Sequence, residues 1–435
     1  MEKIKKPSIL IINSLDPTKG SAIGALKTYN LFKQAGYDVD LLTKYKVEGY
    51  PHFLSVYDCY QRKNTWKFWL SSKLKALYYK TLFRQKKDYY FFYRRETSPP
   101  IPVSKILAKI DKHYDIVHVY FWQGMLSFHT VKAIYDKLHC FVRFACADYS
   151  VMSGGCHFTG DCVKYKTGCG SCPAIYSNNS HDFTAFNVNY RKSFLKEVKP
   201  VISVNNYMKN NFFNKAYLYK NYDRLITATP TIDLSVFHPI DKSILREKYR
   251  IPQEKKFILF FGSQGLNDER KGIKYLLEAL KIFYNRLNDN QRRSVLLLLA
   301  GKNIDEIKER LLFDYKSLGF LSVDKLPQIY SLANVFLSPS VNDAGPLMLL
   351  QSMACGTPVI AFEMGYALDF VKGHKTGYCA MLRDSESFAE GIYNIFKLSP
   401  DNYKEMSHEC LSISNKYFSS KTYIDNYMKV YNEYK

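Results

Sequence analysis

Two short stretches carry the residue types that handle anions. "GSQGLNDERKG", from Gly262 to Gly272, ends in the cations Arg270 and Lys271 just ahead of a helical pattern, and "SVNDAGPLM", from Ser340 to Met348, leads through Asp343 and Gly345 into Pro346. Proline suits a first helical position and Gly356 suits the position past a last turn, so the spacing predicts a helix over Pro346 to Cys355. Its first amides have no partner within the helix and face outward with the positive end of the helix dipole, an arrangement that attracts phosphate. Asp343 would repel phosphate and fits hydroxyl groups better. Gln351, two turns into an otherwise apolar helix, needs a polar partner, because an unpaired buried amide costs a few kcal/mol.

Strands and helices alternate throughout, which predicts α/β units with parallel sheets. In the first half, strands are expected over Ser8 to Ser14, Tyr37 to Thr43, Tyr114 to Phe121, His139 to Asp148 and Pro200 to Asn206, with a helix over Ser21 to Gly36. The second half repeats the pattern with "KFILFFGSQ", "SVLLLLAG", "SLGFLS", "ANVFLSPS" and "PVIAFE". The expected division is a first domain over 1–230, a linker over 231–250 stiffened by Pro230 and Pro239, a second domain over 251–412 and a terminal helix over 413–435. Ligands of such sheets bind beyond the carboxyl ends of the strands, where both anion-handling stretches fall.

The chain has 435 residues with 62 Lys and Arg against 40 Asp and Glu, a formal charge of +22, 46% hydrophobic and 23% charged residues. No apolar run reaches membrane-spanning length, and the apolar run after "MEKIKK" reads as a first strand, so a cytoplasmic location is expected. The basic surplus favours an anionic partner. Much of it lies in 64–96, where Lys and Arg alternate with Trp, Tyr and Phe; this fits peripheral docking on anionic lipid, or else a solvated basic helix with its aromatics turned inward. No nucleic-acid motif is present, so nucleic acid is not an expected partner.

"PSVNDAGPLMLLQSMACGTPVIAF", with "NDERKG" and "GYDVDLLT", resembles the retaining glycosyltransferases of family 4, most closely from Phe261 to Ala380. The resemblance implies the GT-B fold, two facing Rossmann-like domains with a C-terminal helix crossing back to the first. It implies a nucleotide-diphosphate sugar donor, a glycan or lipid-linked glycan acceptor and no cofactor for catalysis. Bacterial members acting on capsule, exopolysaccharide or O-antigen carry a similar cysteine-rich insert. The family's diphosphate-binding Lys falls on Lys271, its first carboxylate on Asp343, and its phosphate-facing amides on Gly345, Pro346, Leu347 and Met348. Three positions depart from the pattern. The family's second carboxylate is the amide Gln351, its strand-end Arg is Ser263 with Arg270 as substitute, and the His before Asp148 is Ala147. On the acceptor side the resemblance and the strand ends point to Gly20, Ser21, Trp122, Gln123 and Asp148. The departures also leave open a catalytically silent homologue that binds nucleotide sugar or scaffolds other enzymes.

"GGCHFTGDCVKYKTGCGSCP" places Cys156, Cys162, Cys169 and Cys172 in one Gly-rich stretch. Four thiols suit a structural zinc ion, and Cys169 and Cys172 have the familiar two-residue gap, with His157 as a spare ligand; free thiols are the other reading. His118, mid-strand, is expected to be a satisfied core histidine.

Overall fold

The computed structural model describes residues 6–18, 22–58, 73, 95–265, 269–302 and 304–435. The expected lipid-docking segment 64–96, apart from Lys73, Arg95 and Glu96, lies outside the described residues, as do Gly20 and Ser21. The chain forms two compact units: 1–204, 208–228 and 427–435 in the first, 205–207 and 229–426 in the second.

Seven parallel strands make the sheet of the first unit: β1 (Ile9–Asn13), β2 (Val39–Tyr45), β3 (Leu54–Tyr57), β4 (Ile116–Val119), β5 (Phe141–Ala145), β6 (Val201–Val204) and β7 (Leu225–Thr227). Their order is β3-β2-β1-β4-β5-β6-β7. Every residue of β1 and β4 is buried, as expected where helices cover both faces and an apolar run can replace alternation. The order reverses between β1 and β4, which are paired from Ile9 with Ile116 to Ile12 with Val119.

The second unit has six parallel strands, β8 (Phe257–Gly265), β9 (Val295–Lys302), β10 (Tyr315–Ser317), β11 (Val335–Ser338), β12 (Val359–Phe362) and β13 (Gly377–Ala380), in the order β10-β9-β8-β11-β12-β13. Alternation along β8 and β9 splits their side chains between two cores. Ile258, Phe260, Leu296 and Leu298 enter one, and Phe257, Leu259, Phe261, Leu297 and Leu299 enter the other. Burying each such side chain contributes about 1.5–3 kcal/mol. Here the order reverses between β8 and β11.

Two boundaries differ from expectation. The stretch read as a linker belongs to the second unit: Lys242–Lys248 is helical, and Ile232, Phe237 and Leu245 are at most 2% exposed in its core. Three large apolar side chains outweigh the stiffness suggested by two prolines. "SLGFLS" is not a strand, because β10 ends at Ser317 where it begins.

The terminal helix is Ser420–Tyr434, and the chain from Tyr427 to Lys435 belongs to the first unit. There the Tyr427 ring lies 4.9 Å from that of Phe32 and 5.2 Å from that of His118, with the Arg143 guanidinium 4.3 Å from its centroid. Among the described residues no helix is long and apolar enough to cross a membrane.

Candidate functional site

The reversal of strand order in the second unit leaves a crevice outside the carboxyl ends of β8 and β11, the usual ligand position in an open parallel sheet. Both anion-handling stretches leave the sheet at that point, one after β8 and the other after β11. Backbone bonds join them: Val341 and Asn342 donate to the Arg270 carbonyl at 2.8 and 3.3 Å. Gly272 has φ +67°, and a Cβ there would sit 1.9 Å from the Pro339 carbonyl oxygen, so only glycine allows the approach. Met348 closes over Gly262, where a Cβ would come within 2.9 Å of the methionine methyl.

This packing brings Lys271 to Asp343. Its ammonium lies 2.6 Å from Asp343 Oδ2, and both side chains are partly exposed, 33% and 22%. The other carboxylate oxygen, Oδ1, accepts the Gly345 N–H at 3.1 Å. The helix that follows is Leu347–Ala354, with Pro346 as N-cap, Cys355 as C-cap and no side-chain cap.

These bonds correct the expected set of phosphate-facing amides. The Gly345 N–H is used by Asp343 and Pro346 has none, which leaves Leu347 and Met348 as the donors that open the helix. Both side chains are half-buried, whereas Leu349 to Ala354 are buried. Gln351 is 7% exposed and finds its polar partner in the Tyr330 hydroxyl, which donates to Oε1 at 3.4 Å. Arg270 and Ser263 are partly buried on the β8 side of the same crevice.

Sequence reasoning missed the support behind Gly345. A Cβ on that glycine would meet the Tyr366 ring at 2.6 Å and Asn205 Nδ2 at 2.8 Å. Asn205 also donates to the Ala344 carbonyl. Glycine before a helical proline and an aromatic twenty-one residues on are weak signals separately, and nothing local announces Asn205.

One turn from Tyr366, burial raises the Asp369 carboxyl to about 6, although hydrogen bonds from the Asn206 side chain and backbone hold the rise back. The unfolded chain therefore releases this proton first as pH rises. Stability from the protonated carboxyl is complete below about pH 4 and is lost as pH climbs through 6. Asp369→Asn is expected to stabilise the protein by about 1–2 kcal/mol above pH 6 and to change little at pH 4. Urea unfolding at the two pH values measures this, and an equal effect at both would refute it.

In the first unit the expected acceptor-side residues are interior: Trp122 is 3%, Gln123 7% and Asp148 3% exposed. Trp122 packs edge-on against Phe128 at 5.4 Å. Gln123 Nε2 donates to Asp148 Oδ2 at 3.0 Å and to the Ser150 hydroxyl at 2.5 Å. Asp148 also accepts the Ser150 N–H at 2.7 Å and lies 2.9 Å from His157 Nδ1. Burial pushes this carboxyl up, but the His157 and Ser150 contacts outweigh it and hold the group below its ordinary range. The group of this set that reaches outward is His157, with 22% side-chain exposure.

Beneath lies a buried ion pair that the sequence did not reveal as a pair. Arg191 and Glu96, both fully buried, meet at 2.6 Å. Arg191 also donates to the carbonyls of Ser150, at 2.5 Å, and Ser153, while Glu96 accepts the Phe128 N–H at 2.7 Å at a helix start.

His118 is buried as expected but is not satisfied: neither ring nitrogen has a hydrogen-bond partner among the described residues. Burial, with the nearby Arg143 charge, pushes its pKa well down and keeps it neutral.

Cys156, Cys162, Cys169 and Cys172 line a single cavity of about 20 Å³ and form no disulfide. Among the described residues, no group of three or more His, Cys, Asp or Glu side chains stands at metal-holding spacing. The expected cage is not drawn together in these side-chain positions.

Comparison with known proteins places these features. Sucrose-phosphate synthase from Thermosynechococcus elongatus superposes with a TM-score of 0.67 at 18% identity, over 98% of this chain and 99% of that one. HepE of Anabaena, solved with UDP and glucose, gives 0.63 at 13% over 98% and 100%. At such identities the likeness is one of fold, the GT-B arrangement of two Rossmann-like units. A glycosyltransferase of Methanocaldococcus jannaschii is 26% identical over 59% of this chain and 65% of its own length. A D-inositol 3-phosphate glycosyltransferase of Saccharomonospora viridis is 26% identical over 48% and 50%. The chain thus spans between half and two thirds of the length of these relatives. Residues 241–410, which include Lys271 and Asp343, match the family described as glycosyl transferases group 1.

Proposed function

We propose that this protein is a retaining glycosyltransferase that moves a sugar from a nucleotide-diphosphate donor to a glycan acceptor, lipid-linked, in assembly of a bacterial capsule, exopolysaccharide or O-antigen. The observation that carries the reading is the Lys271–Asp343 pair set before an uncapped helix at the reversal of strand order. The group 1 domain supports it, as do relatives named as glycosyltransferases and a structure of like fold solved with UDP-glucose.

On donor binding, Lys271 turns from Asp343 to the diphosphate, joined by Arg270 and the amides of Leu347 and Met348. Asp343 is released to accept sugar hydroxyls, with Ser263 and Gln351 nearby for the nucleoside. The bond between the anomeric carbon and the phosphate oxygen breaks, the acceptor oxygen bonds to that carbon from the same face, and its proton passes to the leaving phosphate. Preorganised cations and amides at the departing diphosphate supply the main stabilisation, so no metal or cofactor is required for the step. On the acceptor side, Gly20 and Ser21 would line the binding surface, while Trp122, Gln123 and Asp148 position it from behind. The protein works in the cytoplasm at the inner face of the membrane, held peripherally by the basic, aromatic segment 64–96.

A second reading, a silent homologue that binds nucleotide sugar, is favoured by one observation: the buried Gln351 amide stands where family members carry a carboxylate. A panel of nucleotide sugars separates the two. Our reading expects one donor to raise the unfolding midpoint, by an amount equivalent to about 2.7 kcal/mol at a hundredfold excess over its dissociation constant, and to release nucleoside diphosphate when a lipid-linked glycan is added. Stabilisation without release under every acceptor supports the silent homologue, and no stabilisation by any donor overturns both.

A further inference from the structure

We infer that the Cys156, Cys162, Cys169 and Cys172 loop is a structural zinc site. The inference stands independently of the proposed activity. Cys156, Cys162, Cys169 and Cys172 all line one cavity of about 20 Å³, room for a single small guest and too little for a side chain.

The groups around the sulfurs are arranged for thiolates. The Gly154 N–H points at the Cys169 sulfur, and the Ala174 and Ile175 N–H groups point at that of Cys172. Backbone donors aimed at sulfur are the usual outer shell of thiolate zinc sites, where they offset charge on the ligand. A neutral thiol gains little from them.

The backbone is held in an unusual form to present these thiols. Gly168, Cys169, Gly170 and Ser171 have φ of +108°, +64°, +84° and +41°, two of them non-glycine residues in a region that costs each about 1 kcal/mol or more. Lys164 binds the Ser171 carbonyl at 2.5 Å, Thr184 takes the Gly170 N–H at 3.1 Å, and Asp182 takes the Cys172 N–H at 2.9 Å. A loop that needed only packing would fill the space with aliphatic side chains and relax its backbone. The sulfurs stand around the cavity without three of them drawn to one point, and rotation about χ1 is the motion that closes them on an ion.

The full chain, purified without chelator, is expected to carry about one zinc, measured by elemental analysis and by release to a chromogenic chelator after mercurial treatment. Cobalt exchanged into it should give thiolate charge-transfer and tetrahedral d–d bands. Cys169→Ser or Cys172→Ser should lower zinc content about tenfold or more, whereas Cys410→Ser, outside the loop, should not. Should those loop variants fail to fold, stripping zinc from the unaltered chain must lower its unfolding midpoint. Zinc-free protein, zinc retained in both loop variants, or a disulfide between these cysteines found by mass spectrometry without reduction would each overturn the assignment.

Discussion

Lys271→Ala is expected to lower kcat/KM for nucleoside diphosphate release by about 10²–10³, while the fold stays intact. The loss has two sources. The cation that would meet charge developing on the leaving diphosphate is gone, and Asp343, whose Oδ2 lies 2.6 Å from the ammonium, is left as an uncompensated anion beside the helix entrance. That second effect repels the donor even in the ground state, so KM should rise as well as kcat fall. Lys271→Ala with Asp343→Asn should then recover part of the KM loss and none of the kcat loss. Steady-state kinetics with circular dichroism as the fold control decide it. Activity within threefold of the parent would remove Lys271 from the reaction.

The largest effect on stability is expected from Arg191→Met. Breaking a buried ion pair from one side costs about 3–5 kcal/mol, because the partner charge stays buried without compensation. Here Glu96 would lose its guanidinium partner while still accepting the Phe128 N–H, and the carbonyls of Ser150 and Ser153 would lose a donor. Glu96→Gln combined with Arg191→Met should cost less than the sum of the two single changes, since they share one interaction. Urea unfolding of the four proteins measures the coupling, and strict additivity would contradict it.

The second unit was the more legible in sequence, and the reason is physical. Its strands are long apolar runs such as "SVLLLLAG", and its glycines sit where a carbonyl or a left-handed turn excludes any side chain, as at Gly272 and Gly356. That both loops fall beyond the carboxyl ends of strands followed from those two signals. What escaped was short or remote. Leu54–Tyr57, Leu225–Thr227 and Gly377–Ala380 are strands of three or four residues, too short for the pattern to single out, that their neighbours fix. Arg191 and Glu96 are separated by 95 positions. A signal for Arg191 did exist: it stands three, four and seven residues ahead of Phe194, Leu195 and Val198, on the buried stripe of its helix. A charge on such a stripe calls for a partner, but the sequence does not say which. Trp122 and Gln123, expected to line the acceptor side, follow the end of β4 and are interior, because the bonds from Gln123 to Asp148 and Ser150 are tertiary.

The stitching of the two crevice loops through Arg270, Gly272 and Pro339 has a bearing on redesign. Residues 270–272 and 339–342 meet through backbone bonds and a contact that admits no side chain at position 272, so a bulkier residue there would displace both segments. Chimeras meant to alter donor choice should therefore keep glycine at position 272 and transplant both segments from the same parent.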